Sequence, residues 1–438
     1  MRASDLQFFA CYFAQGVQRV GKDFLRHNAP QALDGDPVQL QMFYNLLPEF
    51  GSLPWTLKPG IMFLAECLLG PSGLRGLSAL SALLTGFVWL RLASIGGLEL
   101  SGIGFLVCTG LASLGSAVND GLVDGRVSEE STNGESAAAR RYICECGTFI
   151  GSIVVGICAW LFNLGPEPML VLTAVAWVSV AFCVLVLDRS SAPKTTSDLS
   201  TGDEKAAREA EDHNGTISSL RSLVNGAVGF VSILAFTSCL SPKLDFYMFR
   251  QRMLGLSASQ QALVSMAGSL GWWLGASTYK HRIAVGRPVH AALKICLFWW
   301  PAAAFLQVVV AALASVPPVS TTPALFLPLL AIEKLATEFC TTLTYMPCTV
   351  LMQLHSPRGC EATAFSLMQW SGTIGQVLGR NLEYLLSRVI GVSPITGYAK
   401  FWQVALATAN WRLVTSVALR ICVLGRLARA ERGLRESE

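Results

Sequence analysis

The chain has 438 residues, of which 52% are hydrophobic and only 14% charged, and its formal net charge is +4. At a mean hydropathy of +0.48 most segments would be apolar on every side, which excludes ordinary soluble helices because those need a polar face. The small net charge makes no case for nucleic acid as a partner, and the 13 cysteines show no metal-type spacing.

A bilayer span needs roughly 20 mostly apolar residues, and the chain offers such runs repeatedly. They are too long for barrel strands of about 10 alternating residues, and in lipid a helix satisfies its own backbone. An all-α membrane protein of about twelve transmembrane helices is therefore expected. The predicted spans are 5–25, 38–69, 76–95, 99–118, 141–163, 168–187, 223–241, 257–279, 289–314, 322–348, 360–385 and 397–424.

No basic leader or Ser/Arg-rich transit stretch precedes Leu6, where apolar sequence begins; this favours the plasma membrane over an organelle. On the first span Gln15, Arg19, Lys22 and Arg26 share one helix face, with Asp23 a local partner for Arg19. The second span contains Pro48, Pro54 and Pro59 and is predicted to kink. Its Lys58 and Glu66 lie about 12 Å apart along a helix, so each needs another partner. On the fourth span Thr109, Ser113 and Ser116 form a stripe that continues past its end to Asp120 and Asp124. Cys144 and Cys146, the closest cysteine pair, read as buried thiols.

After the sixth span, residues 188–222 turn charged, small and polar, which predicts a solvated, disordered linker. It separates a bundle over 1–187 from one over 223–424, and a basic tail follows at 425–438. Many transporters consist of two such halves. In the second half Gly268, Gly271 and Gly275, and again Gly372, Gly375 and Gly379, present small faces suited to close helix packing. The tenth span carries Glu333, Lys334 and Glu338, the last two at pairing distance. The eleventh carries Ser366, Gln369, Thr373, Gln376, Arg380 and Glu383 along one face. Placing both ends and the linker in the cytoplasm puts about 17 basic residues inside against 8 outside, the sense of the positive-inside rule. Asn214-Gly215-Thr216 is a glycosylation sequon that this orientation leaves inside.

Polar residues within spans can serve two purposes. Serines and threonines commonly hydrogen-bond helix to helix, whereas charged groups tend to face a cavity or a partner. Basic groups on separate stripes point to an aqueous cavity, positive in places, that suits an anion.

Six stretches occur in order over most of the chain: Tyr12-Phe13-Ala14-Gln15-Gly16; Leu53-Pro54-Trp55-Thr56-Leu57-Lys58-Pro59; GSAVNDGLVD ending at Asp124; Pro242–Leu256, with Asp245, Tyr247 and Phe249; Ser265–Tyr279; and Pro357-Arg358-Gly359-Cys360-Glu361-Ala362-Thr363. Together they resemble the folate-biopterin transporter family of the major facilitator superfamily, with its YFxQG, LPWxxKP and PxGxEAT patterns. The resemblance departs in three places. Glu66 stands where the family usually has Asp, and the arginine cluster that would meet it is reduced to Arg75. Arg250 and Arg252 also replace more neutral residues.

The resemblance implies a major facilitator fold of two pseudo-symmetric six-helix bundles, moving folate, biopterin or a related pterin by alternating access with protons as the coupling ion. No cofactor or metal is implied, and the chain is expected to act as a monomer in the bilayer. An arginine fork suits the glutamate tail of folate and a carboxylate suits the pterin N–H edge. Candidate substrate-binding residues are Gln15, Arg19, Lys58, Gln369, Gln376 and Arg380. Candidate proton-coupling or gating residues are Glu66, Asp120, Asp124, Asp245, Glu333 and Glu361. Asp120 and Asp124 are expected near the cytoplasmic gate. Glu361 opens a helix, where the dipole favours a carboxylate and a structural role. Transport of another organic anion, or a receptor that no longer moves solute, stays open; a membrane enzyme has no paired catalytic motif behind it.

Overall fold

The structure is a computed structural model that describes residues 3–32, 37–69, 71–94, 102–162, 164–187, 226–242, 249–250, 254–315, 323–357, 359–392 and 400–423. The predicted linker, the basic tail, Asn214 and Asp245 lie outside them. Twelve α-helices and no strand occur among the described residues, the eighth and twelfth helices running on into short π-helical turns (Tyr279–Ile283 and Leu419–Val423). They are α1 (Ala3–Ala32), α2 (Pro37–Leu68), α3 (Pro71–Ser94), α4 (Gly102–Glu130), α5 (Gly134–Leu161), α6 (Pro166–Leu187), α7 (Gly226–Cys239), α8 (Ala258–Thr278), α9 (Val289–Ala314), α10 (Pro323–Leu354), α11 (Glu361–Ile390) and α12 (Phe401–Ala418). Each predicted span falls on one of them.

Local chemistry sets their ends. Proline opens α2, α3, α6 and α10, where its missing N–H is not needed and its fixed φ suits the first helical position. Reciprocal capping boxes start α5, through Asn133 and Ser136, and α8, through Ser257 and Gln260. Gly391, at φ 80°, ends α11 in a left-handed turn. The second helix continues through Pro48, Pro54 and Pro59.

The helices pack as two sets with the same internal scheme. In the first, α1 packs on α5, α2 on α4, and α3 on α4 and α6; in the second, α7 packs on α11, α8 on α10, and α9 on α10 and α12. The sets meet through equivalent pairs, α2 with α11 and α5 with α8. This is the two-bundle, pseudo-symmetric architecture expected from the sequence. The outer helices turn large apolar side chains outward, among them Phe87 on α3, Phe182 on α6 and Phe298 on α9, as a lipid-facing surface requires.

Glycines permit the tightest crossings. A methyl added at Gly271 would collide with the Leu335 carbonyl, and one at Gly379 with that of Ser241. Gly16 and Gly151 make the matching contacts between α1 and α5. Small residues at these points let the backbones touch.

Candidate functional site

Between the two sets lies a cavity of about 880 Å³. Its walls come from the polar faces of α1, α2, α4, α5, α7, α8, α9, α10, α11 and α12. Six cationic side chains line it (Arg19, Lys22, Arg141, Lys334, Arg380 and Arg412) against four carboxylates, Asp120, Glu145, Glu333 and Glu338. The lining is therefore positive on balance, and its polar groups lie within walls of apolar helices, where charges interact more strongly than in water.

The first-half wall is built on a chain of buried charges. Lys58 Nζ lies 2.7 Å from Asp120 and 3.5 Å from Asp124; Arg141 reaches Asp124 at 3.0 Å and Glu145 at 2.9 Å. All five side chains are at most 5% exposed. Two cations thus face three carboxylates, so the network holds one surplus negative charge when every group is ionised. Neutral donors support it: the Tyr12 hydroxyl donates to Asp124 at 3.0 Å and the Gln15 amide to Asp120 at 3.2 Å. Aromatic rings flank Arg141, Tyr12 at 4.9 Å and Tyr345 at 5.4 Å, and Trp55 lies 5.3 Å from Lys58.

Three members of this network also bond to the second half. Lys58 donates to Gln369 on α11, Arg141 donates to the Tyr345 hydroxyl on α10 at 3.0 Å, and Glu145 accepts from the Trp272 indole on α8. Arg19 stacks over the same indole at 5.5 Å.

At the end where α2 finishes and α11 begins, the halves are latched. Glu66 accepts from the backbone N–H groups of Ala362, at 2.9 Å, and Thr363, at 3.1 Å, and from the Thr363 hydroxyl. A carboxylate on α2 thereby caps the first turn of α11, where free N–H groups and the helix dipole both favour an anion. Met62, Val118, Leu122 and Ala362 form an apolar plug beside it. The cavity lies on the other side of this plug, reaching Lys22, Thr109 and Arg380.

The predicted site residues are distributed as follows. Gln15, Arg19, Gln369, Gln376, Arg380, Asp120 and Glu333 line the cavity. Lys58 and Asp124 stand just behind its wall, at 1% and 0% side-chain exposure. Asp120 is the member of the Asp120–Asp124 pair that reaches the cavity. Glu66 and Glu361 are away from the cavity; Glu361 accepts from the Gly359 N–H at 3.0 Å in the turn before its helix. Lys334 and Glu338 pair at 2.6 Å. Lys58 and Glu66 each find a partner on another helix, as their separation required.

One boundary needs correction: Arg141, the first residue of the predicted fifth span, is buried well inside α5, because Asn133 starts that helix two turns earlier than its apolar run does. Glu66, for which this chain lacks the family's arginine cluster, is met by the backbone donors at the N-terminus of α11. Sequence reading also missed Glu145, Gln307, Trp272, Tyr345 and Arg412. An i, i+4 Arg–Glu pair in an apolar helix was the available signal for Arg141 and Glu145, and Arg412 was a lone charge inside a span. The two aromatic residues look like any core ring in sequence.

Comparison with known proteins agrees with this architecture. The BT1 family model, which describes folate-biopterin transporters related to the major facilitator superfamily, matches residues 31–432. The chain is similar in structure to the human organic anion transporter MFSD10, at 14% identity and a TM-score of 0.58 over 94% of this chain and 98% of that one. It is similar to the proton:xylose symporter XylE, at 10% identity and a TM-score of 0.63 over 96% and 94% of the two chains. The nucleoside transporter NupG gives 13% identity and a TM-score of 0.57 over 96% and 99%. At such identities these likenesses establish the fold alone. No curated protein matches the sequence. The chain is an integral membrane transporter of the major facilitator fold, and it belongs to the BT1 family.

Proposed function

We propose that this protein is a secondary active transporter that moves folate, biopterin or a related pterin by alternating access, coupled to protons. The observation that carries the proposal is the cavity itself: about 880 Å³ between two helical sets, with six cationic side chains against four carboxylates. A lining of that size and sign suits an organic anion with an aromatic body. Arg380 and Arg19 are placed to take carboxylates, since a guanidinium fork matches that group.

Proton coupling is supported by the buried network. Three carboxylates share two cations at no more than 5% exposure. A surplus negative charge in such surroundings is destabilising, and a proton from solution would remove it. The excess of basic residues in the inside segments supports cytoplasmic termini, which sets the Glu66 latch on the cytoplasmic side and the cavity toward the opposite face.

Uptake of labelled folate into vesicles, with and without an inward acid gradient, tests the reading. Accumulation that collapses when the gradient is dissipated is the expected result. Gradient-independent uptake would remove the proton and keep the carrier. Absence of folate and pterin uptake, with uptake of another organic anion, would shift the substrate; absence of any uptake would leave a receptor.

A further inference from the structure

The second-half wall of the cavity contains a polar pair that the charge network does not use. Glu333 on α10 and Gln307 on α9 are 1% and 6% exposed, and both line the cavity. Glu333 Oε1 accepts from the Gln307 amide N–H and from the Thr337 hydroxyl, each at 3.0 Å. Glu333 Oε2 and Gln307 Oε1 are buried and receive no hydrogen bond among the described residues.

The orientation of the Gln307 amide is fixed by chemistry. Turning it over would set its carbonyl against the carboxylate, two acceptors facing each other. Its carbonyl must therefore point elsewhere, and it points where no donor stands. Arg412 is close enough to offset the Glu333 charge but gives Oε2 no hydrogen bond; its Nε donates to the Ser241 hydroxyl at 3.0 Å, and Lys334 pairs with Glu338. Buried acceptors are rarely left unsatisfied, and a pair of them on a cavity wall calls for a ligand that donates.

A free cation is a poor occupant, because the cavity lining already has more positive than negative groups. A neutral group with two adjacent N–H donors satisfies both oxygens without adding charge. We infer that Glu333 and Gln307 form the subsite that receives the N–H edge of a planar 2-amino nitrogen heterocycle, an assignment that rests on the transport function proposed above.

The test compares binding of folate with that of its 2-desamino-2-methyl analogue, which keeps the glutamate tail, to purified protein in detergent. Wild type should bind folate about 10- to 100-fold more tightly. Glu333→Gln should bring that ratio to within about threefold. Its amide oxygen must stay toward Gln307 and Thr337, which puts an N–H₂ donor where Oε2 was. Gln307→Met, which keeps the shape and removes the carbonyl, should also lower the ratio and covers the case in which Glu333→Gln does not fold. Equal binding of the two compounds by wild type, or a ratio unchanged in the variants, overturns the subsite and leaves the transport reading intact. Failure of wild type to bind either compound overturns the subsite and folate as the substrate together.

Discussion

Glu66→Ala should release the latch between α2 and α11. The carboxylate accepts two backbone N–H groups and one hydroxyl. Hydrogen bonds to a charged group contribute about 1.5–3 kcal/mol each, and the dipole of the capped helix adds about 0.3–1 kcal/mol. Three bonds sharing one acceptor are not additive, and a half-buried carboxylate regains water when they open. About 2–3 kcal/mol for the set is a fair net figure, equivalent to roughly 30- to 150-fold in the ratio of latched to open molecules. Cys360, the residue before α11, is 1% exposed beneath this contact. In a variant with Cys360 as its only cysteine, the rate of maleimide modification reports the open fraction. Glu66→Ala should raise it by that factor, until the open state dominates. Thr363→Val, which removes the hydroxyl bond alone, should raise it by only about 3- to 10-fold. A Cys360 rate within threefold of wild type in a Glu66→Ala protein that still takes up substrate would show that the latch holds nothing closed.

Three further outcomes are expected. Lys58→Met leaves Asp120 without its ion pair beside Asp124, which keeps Arg141, and should destabilise the protein by about 3–5 kcal/mol; adding Asp120→Asn should recover at least half of the lost thermal stability in detergent, and no recovery would show that Lys58 acts through packing instead. Arg380→Gln should weaken uptake of folate about 10- to 100-fold and of neutral biopterin less than about threefold, as loss of a charge-assisted contact to the tail implies; equal loss for both would refute a role in tail binding. Gly271→Val must push α8 away from the Leu335 carbonyl and should lower stability by about 1–3 kcal/mol, whereas Gly60→Ala, with nothing within 4 Å, should leave the melting temperature unchanged or slightly raised.

The fold was legible because lipid imposes a coarse rule, roughly 20 apolar residues per crossing, and that rule locates helices even when their ends are misjudged. Ends were misjudged where protein replaces lipid. The fourth span was expected to stop at 118, yet α4 runs to Glu130, because Asp120 and Asp124 are neutralised inside the molecule and need not leave the helix. Among the described residues only five helices are apolar enough to cross a membrane by composition alone. The others include α1, α10 and α11, whose polar stripes face the cavity. Those stripes named part of the lining, such as Gln15, Arg19, Gln369, Gln376 and Arg380, along with Ser113, Ser116, Ser366 and Glu383, which are not in it. Partners were another matter. Lys58 meets Asp120 across 62 positions of sequence, and Glu66 meets Ala362 across 296, so neither pairing leaves a local signature. Asp245 was also named from sequence and lies outside the described residues.

The two walls of the cavity differ in kind, and the difference assigns them different work. On the first-half wall every buried charge has a partner, and Lys58, Arg141 and Glu145 each extend a bond to the second half. Separating the halves at this level must break those bonds, so the charge state of the network and the closed arrangement belong to one equilibrium. Coupling of this sort is reciprocal: whatever changes the network's charge changes how firmly the halves adhere, and separation changes its affinity for protons. On the second-half wall two acceptors wait without donors. Gln369, Tyr345 and Trp272 of that wall hold the contacts between halves, whereas Glu333 and Gln307 take no part in them and gain most from a ligand. A substrate seated there can reach across to Arg19 on α1 only while the halves are close enough for both to touch it. Its tail and its ring would then be held by different halves, which is how a ligand with no chemistry of its own to perform can bias the motion that carries it.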